Sequence, residues 1–76
     1  MHIHVLFFAG VREAMGQGET QLTLPENVAV ADAWRAVGGD RLSQRVLCAV
    51  NETYVDENHV LQDGDIAAFF PPVTGG

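Results

Sequence analysis

The chain has 76 residues, with ten acidic and four basic side chains and a net charge of −6 at pH 7. A chain this short makes one domain and buries only about 60% of its unfolded surface, so one small core must serve and no large internal catalytic cavity is expected. The acidic balance argues against nucleic acid, whose phosphates call for clustered Lys and Arg, and against an anionic membrane surface; it favours a partner with a basic docking surface.

Residues His2 to Phe8 alternate as a strand does. Ile3, Val5 and Phe7 share one face and are assigned to the core; His2, His4, Leu6 and Phe8 share the other. Ala9 to Glu19 carries Gly10, Gly16 and Gly18 around Val11-Arg12-Glu13-Ala14-Met15, which reads as a short helical turn inside a loop. Thr20 to Leu24 is a second strand closed by Pro25. Val30, Ala33, Trp34 and Val37 fall at i, i+3, i+4 and i+7, one apolar stripe on a helix. Asn27 is the best N-cap available nearby, with Ala29 the alternative holder of the cap position, where it would cap poorly, and Gly38-Gly39 ends the helix. Asp40 to Arg45 is a connector with room for one more helical turn. Val46 to Val50 is a buried strand ended by an Asn51-Glu52 turn, Tyr54-Val55 a very short strand, and Asp63-Gly64-Asp65 the turn that opens the last strand, Ile66 to Phe70.

This order predicts an α+β domain, one main helix on a mixed sheet of about four to five strands. With the first and last strands side by side in the middle, that is the β-grasp, or ubiquitin-like, architecture, spanning residues 1–70. Residues 71–76 are a separate tail. Pro71 cannot continue a sheet ladder, so Pro71-Pro72-Val73-Thr74-Gly75-Gly76 should project as a slim, extended segment. Gly75 and Gly76 leave the terminal carboxylate free of side-chain crowding, where a large enzyme can reach it.

In these motifs the chain resembles the small-subunit family of molybdopterin synthase, the sulfur carriers of molybdenum cofactor synthesis. The resemblance covers nearly the whole length. It rests on Val5-Leu6-Phe7-Phe8-Ala9, Val11-Arg12-Glu13, Ala49-Val50-Asn51 and Leu61-Gln62-Asp63-Gly64-Asp65, and most specifically on Phe69-Phe70-Pro71-Pro72-Val73-Thr74-Gly75-Gly76. Related carriers of thiamine synthesis share the fold and the Gly-Gly end but generally lack the Phe-Phe-Pro-Pro approach to it. The segment between the helix and Val46 is shorter than in many members.

The resemblance implies a chemistry centred on Gly76. An E1-like activating enzyme would adenylate its carboxylate with ATP, and a sulfur donor would convert the acyl-adenylate to a thiocarboxylate. The tail would then enter the large subunit, in an expected heterotetramer, and deliver sulfur to cyclic pyranopterin monophosphate to form the molybdopterin dithiolene. Gly75 supplies slimness and reach. The catalytic pocket would lie on the large subunit, and this chain would bind no cofactor of its own. The same tail also fits a carrier for thiamine thiazole synthesis, a ubiquitin-like modifier joined through Gly76 to lysines of targets, or a binding module whose tail has no chemistry.

Partner binding falls on Phe8, Tyr54 and Phe70 with Pro71, Pro72, Val73 and Thr74. The three aromatics form an exposed patch at the base of the tail, or one or two of them belong to the core. Phe69 and Phe70 must point opposite ways, and the resemblance favours Phe70 outward. His2 and His4 share a face without a third ligand at a telling spacing, so no metal site is expected. Cys48 reads as a small buried hydrophobe, Trp34 as core, and Asp63 and Asp65 as turn formers. Arg12 meets either an acidic neighbour or the partner. All four basic residues are arginine; base composition is the simpler cause, and protection of an activated acyl group from amines the functional one. The single cysteine and the absence of a secretion signal or long apolar run fit the cytoplasm.

Overall fold

The computed structural model describes residues 1–42 and 45–72. The expectations placed on Val73, Thr74, Gly75 and Gly76 fall outside the described residues. The elements run β1 (His2–Phe7), α1 (Ala9–Met15), β2 (Glu19–Thr23), α2 (Val30–Ala36), a 3-10 turn (Gly39–Arg41), β3 (Leu47–Val50), β4 (Thr53–Val55) and β5 (Ile66–Phe70). They build a five-stranded mixed sheet in the order β2-β1-β5-β3-β4. β1 and β5 lie parallel in its centre, with Phe7 opposite Phe69, and the other pairs are antiparallel. The domain is α+β with the β-grasp arrangement.

Alternation explains the strands. Ile3, Val5 and Phe7 on β1 and Ala67 and Phe69 on β5 are all buried in one cluster with Val11, Val30, Ala33, Cys48, Val50 and Leu61. Trp34 packs over Phe69 with ring centroids 4.7 Å apart, so α2 lays its apolar stripe on the inner face of the sheet. Two residues with positive φ, Asn51 (50°) and Glu52 (70°), close the β3–β4 hairpin with the two-residue geometry whose twist suits paired strands. Trp34 also dictates Gly39: any Cβ there would overlap the indole ring.

The helices differ from the sequence reading in one respect and decide an alternative in another. Ala9–Met15 is a helix as long as α2 rather than a turn within a loop; Val11 anchors it in the core and Gly16, at φ 73°, caps its C-terminus. Of the two candidate caps of α2, Ala29 holds the position, and Asn27 sits at φ 63° outside the helix. Ala29 has no side-chain oxygen with which to cap, and the first N–H groups are satisfied from elsewhere. Asp32 Oδ2 accepts the Ala29 N–H at 2.9 Å, and the carbonyls of His59 and Glu57 accept from Val30 and Ala31 at 2.9 and 3.0 Å. Helix start signals read from sequence look for an oxygen on the N-cap side chain itself; here Asp32, three residues into the helix, and a distant loop share that work.

Candidate functional site

The outer face of the sheet, opposite α2, is built by the second set of alternating residues. Strand register puts Leu6, Ala68, Ala49 and Tyr54 in one row across β1, β5, β3 and β4, with Glu19 at its β2 end. The adjoining row holds Leu47 opposite Phe70. Two alanines in the middle of the face make a shallow apolar floor between larger side chains. Ala49 is buried, yet it stands apart from the core cluster, because it is covered from this side of the sheet.

The structure settles the core-or-surface alternative for the three aromatics. Phe8 is 48% exposed and Tyr54 77% exposed, while Phe70 is half-buried and lies against Tyr54 with ring centroids 5.6 Å apart. None belongs to the core cluster. Phe69, one residue away, is 2% exposed and faces inward. Phe8 follows Phe7 in extended conformation and donates its N–H to Phe69 O at 3.1 Å, so Phe8 and Phe70 occupy neighbouring positions at the same end of the sheet. Large exposed apolar side chains grouped on one face are what a docking surface presents.

β5 stops at Phe70, where Pro71 ends the ladder. Since β1 and β5 are parallel, the chain leaves the sheet at the end that carries Phe8, α1 and the start of β3. The opposite end of β5 is fixed by a polar clamp that sequence reasoning treated only as a turn. Asp65, 9% exposed, accepts from Asn51 Nδ2 at 2.9 Å and from the Gln62 N–H at 2.8 Å, while Asn51 Oδ1 accepts the Ile66 N–H at 3.0 Å. Asp63 accepts the His2 N–H at 2.6 Å, tying the same turn to β1. The Val-Asn turn and the Asp-Gly-Asp turn were both visible in the sequence; their pairing with each other was not.

His4 pairs with Glu19 across β1 and β2 at 2.7 Å, and no group of three metal-ligating side chains occurs among the described residues. Burial pushes the Cys48 thiol up to about 12, so it carries no thiolate near neutrality. A hollow of about 480 Å³ between α2, β3 and β4 is lined by Arg35 and Arg45 but also by Asp40, Asp56 and Glu57, and so selects neither anion nor cation. Arg12 lies over Gly18, where a Cβ would come within 3.1 Å of its guanidinium. No helix is long and apolar enough to cross a membrane among the described residues.

Comparison with known proteins agrees with this architecture. The model of the ThiS family matches residues 5–76. The molybdopterin synthase sulfur carrier subunit of Escherichia coli is 43% identical over 83 aligned positions, covering 97% of this chain and 99% of the relative. A putative molybdopterin converting factor, subunit 1, from Pyrococcus furiosus superposes with a TM-score of 0.81 at 29% identity, over 96% of this chain and 99% of that one. A chain in the complex of subunits 1 and 2 of the molybdopterin-converting factor from Helicobacter pylori superposes at 0.67 with 24% identity over the whole of both chains, a likeness of fold. The chain belongs to the ThiS family.

Proposed function

We propose that this member of the ThiS family is the sulfur carrier of a molybdopterin synthase, with the C-terminal carboxylate of Gly76 as the group that is activated, loaded and spent. A carboxylate is a poor electrophile because its charge repels nucleophiles. Attack of its oxygen on the α-phosphate of ATP, within an adenylating enzyme, releases pyrophosphate and leaves a mixed anhydride. A sulfur donor then attacks the acyl carbon, the bond to AMP breaks, and oxygen is exchanged for sulfur. The thiocarboxylate carries sulfur to cyclic pyranopterin monophosphate in the large subunit, where the dithiolene forms. The acid–base groups belong to that subunit. On this reading the protein works in the cytoplasm, where Cys48 stays a thiol.

The observation that carries the reading is the coincidence, at one end of the sheet, of the exposed aromatics Phe8 and Tyr54 and the half-buried Phe70 with the point where the chain departs toward Pro71-Pro72 and the Gly-Gly end. Docking through Phe8, Tyr54, Phe70, Pro71 and Pro72 delivers Val73, Thr74, Gly75 and Gly76 to the partner without a change in the fold. The 43% identity to the Escherichia coli carrier supports the choice of pathway.

Incubation with an activating enzyme, ATP and a sulfur donor tests it by intact mass. The full chain should exchange one oxygen for sulfur, and addition of the large subunit with pyranopterin should then yield the dithiolene. A chain lacking Gly76 should fold normally and transfer nothing; sulfur transfer by that truncated chain refutes the mechanism. Loading that feeds a thiazole but no dithiolene would move the protein to thiamine synthesis, and a mass adduct on target lysines would make it a modifier.

A further inference from the structure

The sequence contains no lysine; its cationic side chains are Arg12, Arg35, Arg41 and Arg45. The contacts they make among the described residues do not call for a guanidinium. Arg35 meets Asp32 through one exposed 3.3 Å contact three residues along the helix, a pairing that lysine makes equally well. Arg41 donates a single Nε bond to Gly38 O at 3.1 Å, Arg12 is exposed and lies over Gly18, and Arg45 is exposed. A two-pronged fork on a carboxylate, the geometry in which arginine outperforms lysine, occurs at none of these positions among the described residues. What separates the two residue types here is reactivity. An ε-amine loses its proton and becomes a nucleophile, whereas a guanidinium stays protonated up to a pKa of about 12 or more.

Two of the four stand where reactivity matters most. Arg12 lies on α1, at the end of the sheet from which the chain departs, and Arg45 comes two residues before Leu47, the register partner of Phe70. The six residues after Phe70 have a contour length of about 20 Å, which bounds how far from this end an amine could meet the activated terminus. The amino group of Met1 is at the other end of β1 and donates to Leu24 O at 2.6 Å.

We infer that arginine at these positions reserves the activated C-terminus for sulfur: the chain donates its acyl group but does not accept its own, within one molecule or from a second copy. This rests on the reading that Gly76 is adenylated. The reaction avoided is attack of a deprotonated ε-amine on the acyl-adenylate carbon. A C–N bond forms, the C–O bond to AMP breaks with its electron pair leaving on AMP, and the amine's proton passes to water. The isopeptide-linked ring or dimer that results can no longer take up sulfur.

The test uses the full chain, an activating enzyme and ATP, with the sulfur donor withheld, and reads intact mass and pyrophosphate release in parallel. The wild-type chain should release pyrophosphate and form no isopeptide. Arg12→Lys and Arg45→Lys keep the charge and should accumulate a species lighter by one water, or a dimer of twice the mass less one water, which excess sulfur donor suppresses. Arg12→Gln, which removes the charge without adding an amine, should behave as wild type. Lysine variants that release pyrophosphate at the wild-type rate yet form no adduct overturn the inference, as does a wild-type adduct through the Met1 amine. Absence of pyrophosphate release from the wild-type chain overturns the functional reading itself, and the inference with it.

Discussion

Phe69 and Phe70 are chemically identical neighbours that should respond to truncation in opposite ways. Phe69 is 2% exposed, 6.3 Å from the Phe7 ring and 4.7 Å from that of Trp34. Its replacement by alanine removes a buried ring and leaves a cavity, at a cost of about 3–5 kcal/mol. At about 0.05–0.15 kcal/mol per residue, a domain of 76 residues has about 4–11 kcal/mol to lose, so Phe69→Ala should leave the fold marginal. Phe70 is half-buried and holds one aromatic partner, Tyr54, at 5.6 Å. Loss of an aromatic pair, worth about 0.5–1.5 kcal/mol, should be most of what Phe70→Ala costs the fold. As an anchor at a protein interface it should cost about 2 kcal/mol of binding, or about 30-fold in Kd. Urea unfolding of both variants, with calorimetric titration of each against the large subunit, separates the two effects. Equal destabilisation by the two substitutions, with Phe70→Ala binding as wild type, would refute the docking role of the outer face.

Asp65→Ala strands the Asn51 amide and the Gln62 N–H and should cost about 2 kcal/mol in urea unfolding, with Asp65→Asn costing less because one acceptor survives. Gly39→Ala drives a methyl into the Trp34 indole; it should cost about 1–3 kcal/mol by overpacking and shift the emission of the chain's single tryptophan. Cys48 should resist thiol reagents at pH 8 until the chain unfolds, since burial holds the folded thiol up to about 12. The unfolded thiol ionises from its ordinary 9.0; between these values the unfolded state binds fewer protons than the folded one, so stability should fall as pH rises through this window. Cys48→Val should flatten that fall, and an unchanged slope would mean that the thiol is accessible to water.

Strands were legible because period-two patterning is a local signal: Ile66–Phe70 and the inward set Ile3, Val5 and Phe7 stand as read. So was the central placement of β1 and β5. What was misread or left open has a common origin in interactions between residues far apart in sequence. α1 is a helix because Val11 reaches the core, a contact that no property of Ala9–Met15 announces. Ala29 caps α2 because the backbone of Glu57 and His59 supplies the missing acceptors. Phe8 was legible as outward from its place on the histidine face of β1, whereas Tyr54 and Phe70 were legible as patch candidates only up to a choice between surface and core. A five-residue strand with aromatics at its end has two faces, and the answer depended on which neighbours it acquired. The company of Phe8 and Tyr54 with Phe70 arises from sheet order, and sheet order is not written in any one segment.

The clamp at Asn51 and Asp65 bears on function although it sits at the far end of β5 from the tail. Successive side chains on a strand face opposite ways, so a slip of one residue in β5 would exchange Phe69 and Phe70 between core and surface and move the exit of the chain by about 3.3 Å. Two of the three register-fixing devices lie at the start of this strand: the Asp65 carboxylate held by Asn51 Nδ2 and Gln62 N–H, and the Ile66 N–H held by Asn51 Oδ1. The third is the fit of Phe69 between Phe7 and Trp34. On the proposed function, the docking face and the point where the chain leaves the sheet need a fixed relation, and the register of β5 sets both at Phe70. On that reading the β-grasp scaffold contributes precision of placement, and the proposed chemistry is left to the final residues and to the partners that would receive them.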